Sequence, residues 1–155
     1  MRAVLQRVFS AEVYVEDVRS GVINKGIYIL LGVEKNDTVQ DAELLATKIS
    51  KLRIFSDENG KMNLSVKEVE GQILVVSNFT LYANYTHGNR PDYFDSAAPD
   101  VANPLYEHFK DCLRAANIHV QSGIFGADMR SVIVTDGPVT IVLDSKNLKK
   151  GKSIL

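Results

Sequence analysis

The sequence is poor in the residues that bind metals, form disulfides or mark a membrane protein. It has one cysteine, Cys112, three histidines and no tryptophan among 155 residues. A single cysteine excludes a disulfide within the chain and is typical of a protein from a reducing compartment. No pair of histidines has zinc-ligand spacing with that cysteine, so neither a metal site nor a cofactor is expected.

Neither a membrane-spanning segment nor a secretory signal is expected. No apolar run approaches the ~20 residues that a membrane-spanning helix needs. Arg2 and Arg7 interrupt the first residues too early for a secretory signal. We therefore expect a cytoplasmic protein that does not contact membranes. The net charge is −1, whereas domains that bind along nucleic acid are normally basic. DNA is not an expected partner, although local contact with an RNA end stays open.

One positive cluster stands out, within a basic tail predicted at about residues 146–155. It contains Lys146, Lys149, Lys150 and Lys152. Charged termini usually serve solubility. Contact with the phosphates of a nucleic acid is the alternative interpretation.

Hydrophobic patterning predicts a β-rich α+β chain that folds as one domain over residues 1–155. Strands are expected at residues 2–16, with a kink near Ser10, and at 22–24, 27–33, 52–55, 73–76, 118–124, 131–135 and 139–144. One helix is predicted from Thr38 to about Lys51. A second is predicted to begin at Pro104, after a long irregular stretch at residues 84–104. Helices separate these strands too rarely for a βαβ crossover fold.

The stretch from Gln72 to Ala83 combines a core strand with polar residues. Its four aliphatic residues, 73–76, predict a strand that is buried on both faces. Ser77 and Asn78 then interrupt the pattern, and small polar side chains are unfavourable to bury without partners. Thr80 is the obvious nucleophile candidate, but a threonine nucleophile needs an activating base, and none is adjacent in the sequence. Alternatively, Thr80 is simply a β-branched residue that finishes the strand.

Two further features have ordinary structural interpretations when each is taken singly. Gly137-Pro138 is typical of a hairpin turn, although a Gly-Pro peptide can also be cis, which redirects the neighbouring carbonyls. Phe125 and Met129 are expected in the core, as aromatic and methionine side chains usually are. The combination with the stretch around Thr80 is what points to a function.

The combination resembles the signature motifs of the D-aminoacyl-tRNA deacylase family. The similarity centres on Ser77-Asn78-Phe79-Thr80-Leu81 and Gly137-Pro138-Val139-Thr140. Further matching stretches are residues 1–8, 52–57, 60–64, 88–91 and 123–129. They follow the order of the family over nearly the whole chain, without large insertions. Two positions depart from the family pattern, since the family usually has Gln where this chain has Asn78, and Asn where it has Thr135.

The resemblance implies a barrel-like sheet with two main helices and a homodimeric hydrolase whose active sites lie at the subunit interface. Such enzymes cleave the ester that joins a D-amino acid to the 3′ end of tRNA. They proofread chirality by rejecting L-aminoacyl esters, and they also accept glycyl esters, as on tRNA-Ala mischarged with glycine. The expected partners are therefore a tRNA 3′ end and a second copy of the chain.

The resemblance also assigns roles to individual residues. The catalytic set is Ser77, Asn78, Phe79 and Thr80. Gly137 and Pro138 would select chirality in the partner's site, Phe125 and Met129 would lie beside the adenine, and Arg7 would brace the Gly-Pro loop. Backbone N–H groups near Phe79 and Thr80 are expected to stabilise the oxyanion, while the ribose 2′-hydroxyl activates the water. Covalent attack by Thr80 is the rival mechanism.

Two other functions stay open. A catalytically inactive homologue that binds an RNA end or a nucleotide would keep the fold and lose the reaction, and the departure at Asn78 favours it. A related deacylase that clears mischarged glycine or L-alanine is the second, and the geometry of Gly137-Pro138 bears on it. Contacts with the acceptor stem are assigned to Lys146, Lys149, Lys150 or Arg90.

Overall fold

Eight strands, three α-helices and one 3₁₀ turn make up the part of the chain that the structure describes. The structure is a computed structural model, and it describes residues 1–150. The strands are β1 (Arg2–Val15), β2 (Val18–Ile23), β3 (Gly26–Gly32), β4 (Phe55–Ser56), β5 (Met62–Leu64), β6 (Gln72–Ser77), β7 (His119–Ser122) and β8 (Arg130–Asp144). The helices are α1 (Val39–Lys51), α2 (Pro99–Ala115) and α3 (Ser145–Lys150), and the 3₁₀ turn is Phe79–Tyr82. None of the described helices is both long and apolar enough to cross a membrane.

Six of the strands form one sheet around β1, which pairs antiparallel with β2, β3 and β8. The pairing of β1 with β8 shifts register at Phe9, where the sequence predicts a kink. From β3 the sheet continues through β6 to β7. Its two ends approach each other, because a Cβ on Gly21 of β2 would lie only 2.9 Å from the carbonyl oxygen of Ser122 in β7. The sheet is therefore a nearly closed barrel, which confirms the predicted α+β fold.

The sequence suggests that helices separate the strands too rarely for crossovers, but the α+β fold contains two crossover connections. Helix α1 lies between β3 and β6 in the chain, α2 lies between β6 and β7, and both pairs of strands are parallel. Parallel neighbours need a long connection, which a helix usually supplies. The small sheet of β4 and β5 lies within the first connection. These two extra strands make the strand–helix–strand order hard to recognise in the sequence.

The apolar core lies on both sides of β6. Ile73 and Val75 pack into the cluster beneath α1 and α2, whereas Leu74 and Val76 pack into a second cluster with β1 and β2. All four are at most 5% exposed, so the predicted strand with two buried faces is confirmed. A slip of one residue would exchange the two sets of side chains, so burial fixes the register of β6. It thereby fixes the position of Ser77, where the strand ends.

Strand β8 corrects a second prediction. Segments 131–135 and 139–144 are not the two arms of a hairpin, since they form one strand and both pair with β1. Val8 lies opposite Thr135, and Gln6 lies opposite Thr140. Residues 136–139 therefore lie opposite the single residue Arg7 and bulge out of the strand. The turn signal at these positions marks a bulge instead of a reversal of the chain.

The helix boundaries confirm one predicted start and correct the other. Helix α1 runs from Val39 to Lys51 with Thr38 as its N-cap, close to the prediction. Helix α2 begins at Pro99, and Pro104 lies inside it. Proline is favoured in the first turn of a helix because the missing N–H would have no partner there. Pro99 fills that position, so the irregular stretch ends five residues earlier than predicted.

Helix α3 occupies the start of the predicted basic tail and is anchored by a buried hydroxyl. Ser145 is fully buried. Its hydroxyl donates to Asp41 at 2.7 Å and accepts from the Met1 ammonium at 2.8 Å. That ammonium also contacts Asp37 at 2.6 Å. A buried polar cluster therefore joins the two ends of the described chain to α1.

Two lysines of α3, Lys146 and Lys149, are engaged by carboxylates of the same chain. Lys146 pairs with Glu34 at 2.6 Å, and Lys149 pairs with Asp41 at 2.7 Å. Both are thus less available for a phosphate group than the sequence suggests. The predictions for Lys150 and Lys152 fall outside the described side chains.

Candidate active site

A tight 3₁₀ turn follows β6 and sets the positions of the predicted catalytic residues. Ser77 is the last residue of β6, and Asn78 caps the turn. The Asn78 side-chain oxygen accepts a hydrogen bond from the Thr80 N–H at 3.2 Å and another from the Thr80 hydroxyl. Such local bonding to the backbone is the reason that asparagine favours turns. It occupies both donors of Thr80.

The N–H group of Phe79 is the donor that this turn leaves available. Within residues 1–150, it has no hydrogen-bond partner, whereas the neighbouring Asn78 N–H donates to the Leu31 carbonyl at 2.8 Å. The carbonyl of Phe79 accepts a hydrogen bond from the Ser96 hydroxyl at 2.8 Å. Its ring meets Tyr93 edge to face, with centroids 5.0 Å apart. The backbone of Phe79 is therefore held in place while its N–H stays unpaired.

A pocket of about 670 Å³ opens beside the turn. Its walls come from β3, β6, the chain before α2, the first half of α2 and the corner between β7 and β8. The side chains that line it include Tyr28, Ser77, Asn78, Phe79, Tyr93, Ser96, Tyr106, Phe125, Asp128, Met129 and Ser131. Sites for small molecules typically measure about 300–1,000 Å³ and combine apolar walls with a few polar groups. This pocket fits that description.

Two tyrosines of the wall, Tyr28 and Tyr106, form hydrogen bonds and do not act as bases. The hydroxyls of Tyr28 and Ser131 lie 2.7 Å apart, and Tyr106 donates to the Val75 carbonyl at 3.0 Å. Burial raises the pKa of both tyrosines above the ordinary value, so both stay protonated at neutral pH. The pocket lining includes no histidine or lysine, and its one carboxylate is that of Asp128. Within residues 1–150, no three His, Cys, Asp or Glu side chains are grouped to hold a metal ion.

The corner between β7 and β8 brings Phe125 and Met129 to the pocket. Gly126 has φ of 77°, in the left-handed region that favours glycine. A Cβ on Gly123 would collide with the Met129 sulfur. The ring of Phe125 packs against Tyr106, with centroids 5.7 Å apart. The two glycines therefore let an aromatic ring and a thioether line the pocket, although composition alone assigns both to the core.

Gly137 and Pro138 lie away from the pocket of their own chain. Their peptide bond is cis, and they belong to the bulge of β8. Both residues are exposed, and neither lines the pocket.

Arg7 holds the bulge at its base. The side chain is largely buried, and its guanidinium donates to the Ile54 carbonyl at 2.7 Å and to the Asp136 carbonyl at 3.3 Å. It also forms an ion pair with the Asp136 carboxylate at 3.1 Å. Arg7 therefore contacts the loop at the residue before Gly137.

The outward face of β8 is apolar. Val132, Val134 and Val142 are exposed, Val142 to 63%, and Phe9 of β1 is 58% exposed. In the described part of the chain, β8 pairs with β1 alone, so its other edge is free. Long strand edges with apolar side chains promote pairing with another chain unless they are covered.

The structure groups most of the predicted site residues and separates the rest. Ser77, Asn78, Phe79, Phe125 and Met129 line one pocket, whereas Thr80, Gly137 and Pro138 do not. Sequence reasoning missed the lining residues Tyr28, Tyr93, Ser96, Tyr106 and Ser131. Among these, only Tyr106 had a signal, because it follows Ala102 and precedes Phe109 on the buried face of α2.

Comparison with known proteins gives consistent matches over nearly the whole chain. The family described as D-Tyr-tRNA(Tyr) deacylase matches residues 4–144. A D-aminoacyl-tRNA deacylase of Thermosipho africanus is 51% identical over 148 residues, which cover 96% of this chain and 99% of that protein. A solved structure titled c-Myc DNA Unwinding Element Binding Protein has a TM-score of 0.87 and 39% identity, covering 93% of this chain and 98% of its own. Another solved structure, titled as a probable eukaryotic D-amino acid tRNA deacylase, has a TM-score of 0.78 and 19% identity. The match covers 92% of this chain and 98% of the other, and it supports the fold alone.

Proposed function

This chain belongs to the D-Tyr-tRNA(Tyr) deacylase family, and we propose on that basis that it hydrolyses the ester bond of D-aminoacyl-tRNA. The products are the free D-amino acid and the tRNA. The structural observation that carries the proposed mechanism is the unpaired N–H of Phe79, on a residue that lines a pocket of about 670 Å³. A cytoplasmic setting and the tRNA 3′ end as partner belong to the same proposal.

The N–H of Phe79 stabilises the oxyanion. When water attacks the ester, negative charge develops on the carbonyl oxygen, and a donor that is already oriented lowers the barrier. The hydrogen bond from Ser96 to the Phe79 carbonyl keeps this part of the turn in place. The Thr80 N–H, the second donor expected from the sequence, is bonded to Asn78 and would have to leave it to take part.

Thr80 positions the turn and does not attack the ester. Its hydroxyl donates to the carboxamide oxygen of Asn78, and a carboxamide does not take up a proton at neutral pH. A nucleophilic hydroxyl needs a partner that does. The 2′-hydroxyl of the terminal ribose is next to the ester in every aminoacyl-tRNA, and it activates the attacking water instead.

Replacing Thr80 with alanine should therefore lower kcat for D-Tyr-tRNA by less than about tenfold, since a single hydrogen bond is lost. The Phe79 N–H is unchanged in this variant. Single-turnover release of tyrosine measures the effect, and Thr80→Ser is the matched control because it keeps the hydroxyl. A loss well beyond about 10³-fold, toward the roughly 10⁶-fold scale for removing a nucleophile, would instead identify Thr80 as the attacking group.

The corner formed by Phe125 and Met129 binds the adenine. Stacking on an aromatic ring suits any base and is typically worth about 1–3 kcal/mol. Phe125 is itself supported by Tyr106, so it is presented in a fixed orientation. With the ester at Phe79 and the adenine at this corner, the pocket holds an aminoacyl-adenosine.

A second copy of the chain completes the site. A symmetric dimer would cover the exposed apolar face of β8 and would carry each bulge toward the partner's pocket. The carbonyls of Gly137 and Pro138 would then bind the α-amino group of the substrate and leave no room for an L side chain. A glycyl ester has no side chain to exclude, so glycine mischarged on tRNA-Ala is accepted as well.

Replacing Arg7 with lysine should relax this chiral selection. Lysine offers one point charge where the guanidinium makes a fork of contacts with Ile54 and Asp136. We expect the ratio of kcat/KM for D-Tyr-tRNA over L-Tyr-tRNA to fall by about tenfold, the scale of one lost charged hydrogen bond.

The matched control is Arg53→Lys, because Arg53 also donates to a carbonyl, that of Asn63 at 2.8 Å, but is solvent-accessible. This variant should keep the wild-type ratio. An Arg7→Lys protein that is folded and keeps the ratio within twofold would exclude the bracing role.

Incubation with D-Tyr-tRNA, L-Tyr-tRNA and glycyl-tRNA-Ala tests the proposed function. We expect release from the D-tyrosyl and glycyl substrates and none from the L-tyrosyl substrate. Lack of D-specific release above the spontaneous rate would remove the hydrolase assignment. If the tRNA end were still bound, an inactive RNA-end-binding homologue would take its place. An added L-alanyl-tRNA substrate tests the related deacylase, which release of L-alanine would favour. The absence of DNA binding stays a prediction.

A further inference from the structure

A smaller depression lies beside the pocket, next to Met129. Its volume is about 280 Å³, and it is lined by Tyr14, Glu16, Asp17, Asp128, Met129 and Arg130. Two of these residues, Asp128 and Met129, also line the large pocket. The two spaces are therefore adjacent. The proposed reaction on an aminoacyl-adenosine leaves the smaller one unused.

Tyr14 and Arg130 give the depression a flat cationic side. The guanidinium carbon of Arg130 lies 4.5 Å from the centroid of the Tyr14 ring. Asp17 pairs with the same guanidinium at 3.7 Å, and the Tyr14 hydroxyl donates to Glu12. Each of the two side chains therefore has a polar partner beside the stack. A planar guanidinium stacked on one ring presents its second face to another π-system.

The carboxylates around this stack favour a base over a phosphate. Glu16, Asp17 and Asp128 all line the depression beside the single cation, so a phosphate would meet mainly negative charge. Carboxylates accept hydrogen bonds from the amino group of cytosine, and arginine donates to the acceptor atoms of bases. The lining therefore suits a ring with an amino donor on one side and acceptors on the other.

We propose that this depression binds the base of the nucleotide before the terminal adenosine, a cytosine in the single-stranded 3′ end of tRNA. The inference rests on the proposed function, which places the adenine beside Met129 and hence against the shared wall. Stacking and base-edge contacts would then hold the tRNA end in a protein whose net charge of −1 gives little general attraction to phosphates.

Three D-tyrosyl esters test the proposal: those of adenosine, of the dinucleotide CpA and of the dinucleotide UpA. We expect kcat/KM to rise by about tenfold from adenosine to CpA, the scale of one stacked base, and by less for UpA, which lacks the amino group. Arg130→Ala and Tyr14→Ala should each abolish most of the gain for CpA while changing hydrolysis of the adenosine ester by less than twofold. Phe94→Ala is the matched control, because Phe94 is another exposed ring, 83% accessible, outside both spaces.

Equal values for the three esters would overturn the inference and leave the proposed function intact, provided that D-Tyr-tRNA is cleaved. The inference is also wrong if Arg130→Ala lowers all three equally, or if Phe94→Ala is the variant that removes the gain for CpA. Absence of hydrolysis for D-Tyr-tRNA itself would contradict the proposed function. In that case, binding replaces hydrolysis as the readout, with non-hydrolysable amide analogues of the adenosine and CpA esters. Equal affinities of the protein for the two analogues would overturn the inference.

Discussion

Replacing Phe79 with proline should lower kcat for D-Tyr-tRNA by about 10²–10³-fold relative to Phe79→Ala, the typical effect of removing one oxyanion donor. Both variants lose the ring, but only proline also loses the N–H. The comparison therefore isolates the backbone donor from the side chain, which a single substitution cannot do.

The local backbone is compatible with this substitution. Phe79 is the first residue of the 3₁₀ turn, a position where proline is favoured because the N–H has no partner within the turn. Asn78 before it is extended, with φ of −147° and ψ of 95°, and so avoids the α region that a following proline disfavours. We expect both variants to unfold at similar temperatures. The oxyanion assignment is wrong if their kcat values agree within threefold.

Replacing Asp41 with alanine should lower the free energy of unfolding by about 3 kcal/mol, because several hydrogen bonds to a buried carboxylate are lost together. The carboxylate accepts from the N–H and hydroxyl of Thr38, from Ser145 at 2.7 Å and from Lys149 at 2.7 Å. Without it, α3 loses its main link to α1 and the Ser145 hydroxyl loses its acceptor. Chemical denaturation at pH 7 measures the change.

The pH dependence of stability gives Asp41→Ala a second, independent readout. Burial alone would raise the pKa of Asp41, but hydrogen bonds from Lys149, Ser145 and Thr38 lower it well below its ordinary value. A carboxyl whose pKa is depressed on folding stabilises the protein above its unfolded pKa of about 3.9, and this contribution is lost as pH falls toward the folded pKa. Wild type should therefore lose stability below about pH 4 more steeply than the variant.

Glu43 on the same helix provides the control for Asp41. It is exposed, and its contact is with His108 at 3.2 Å. Glu43→Ala should change stability by less than about 1 kcal/mol, as exposed ion pairs usually do. Equal losses from the two variants would mean that the buried cluster is not what holds α3.

Sequence patterns predict best the elements in which the same face, or both faces, are buried along the whole length. The run 73–76 is buried on both faces and α1 on one, and each leaves a clear hydrophobic period. The sequence predicts two strands in place of β8, because Asp136-Gly137-Pro138 has the composition of a reversing turn. Only the pairing of both halves with β1, a long-range contact, decides that the chain continues in the same direction.

The sequence predicts the candidate site only at residues that belong to a recognisable motif. The segment from Ser77 to Thr80 stands out because it interrupts a core pattern, and the resemblance to a known family supplied its meaning. Tyr28 and Ser131 lie on different strands and meet as a hydroxyl pair, and neither position has a local signal. Nor could composition show that Asn78 takes up both donors of Thr80, since this depends on the geometry of the turn.

The bulge of β8 is enclosed by two paired segments that both use β1 as their template. In an ordinary strand, adding or deleting one residue turns every later side chain to the opposite face. Here the pairs Val8 with Thr135 and Gln6 with Thr140 fix the frame on each side, so a change of length between them is absorbed locally. An insertion or deletion within the loop should therefore leave the strand pairing on both sides of it unchanged.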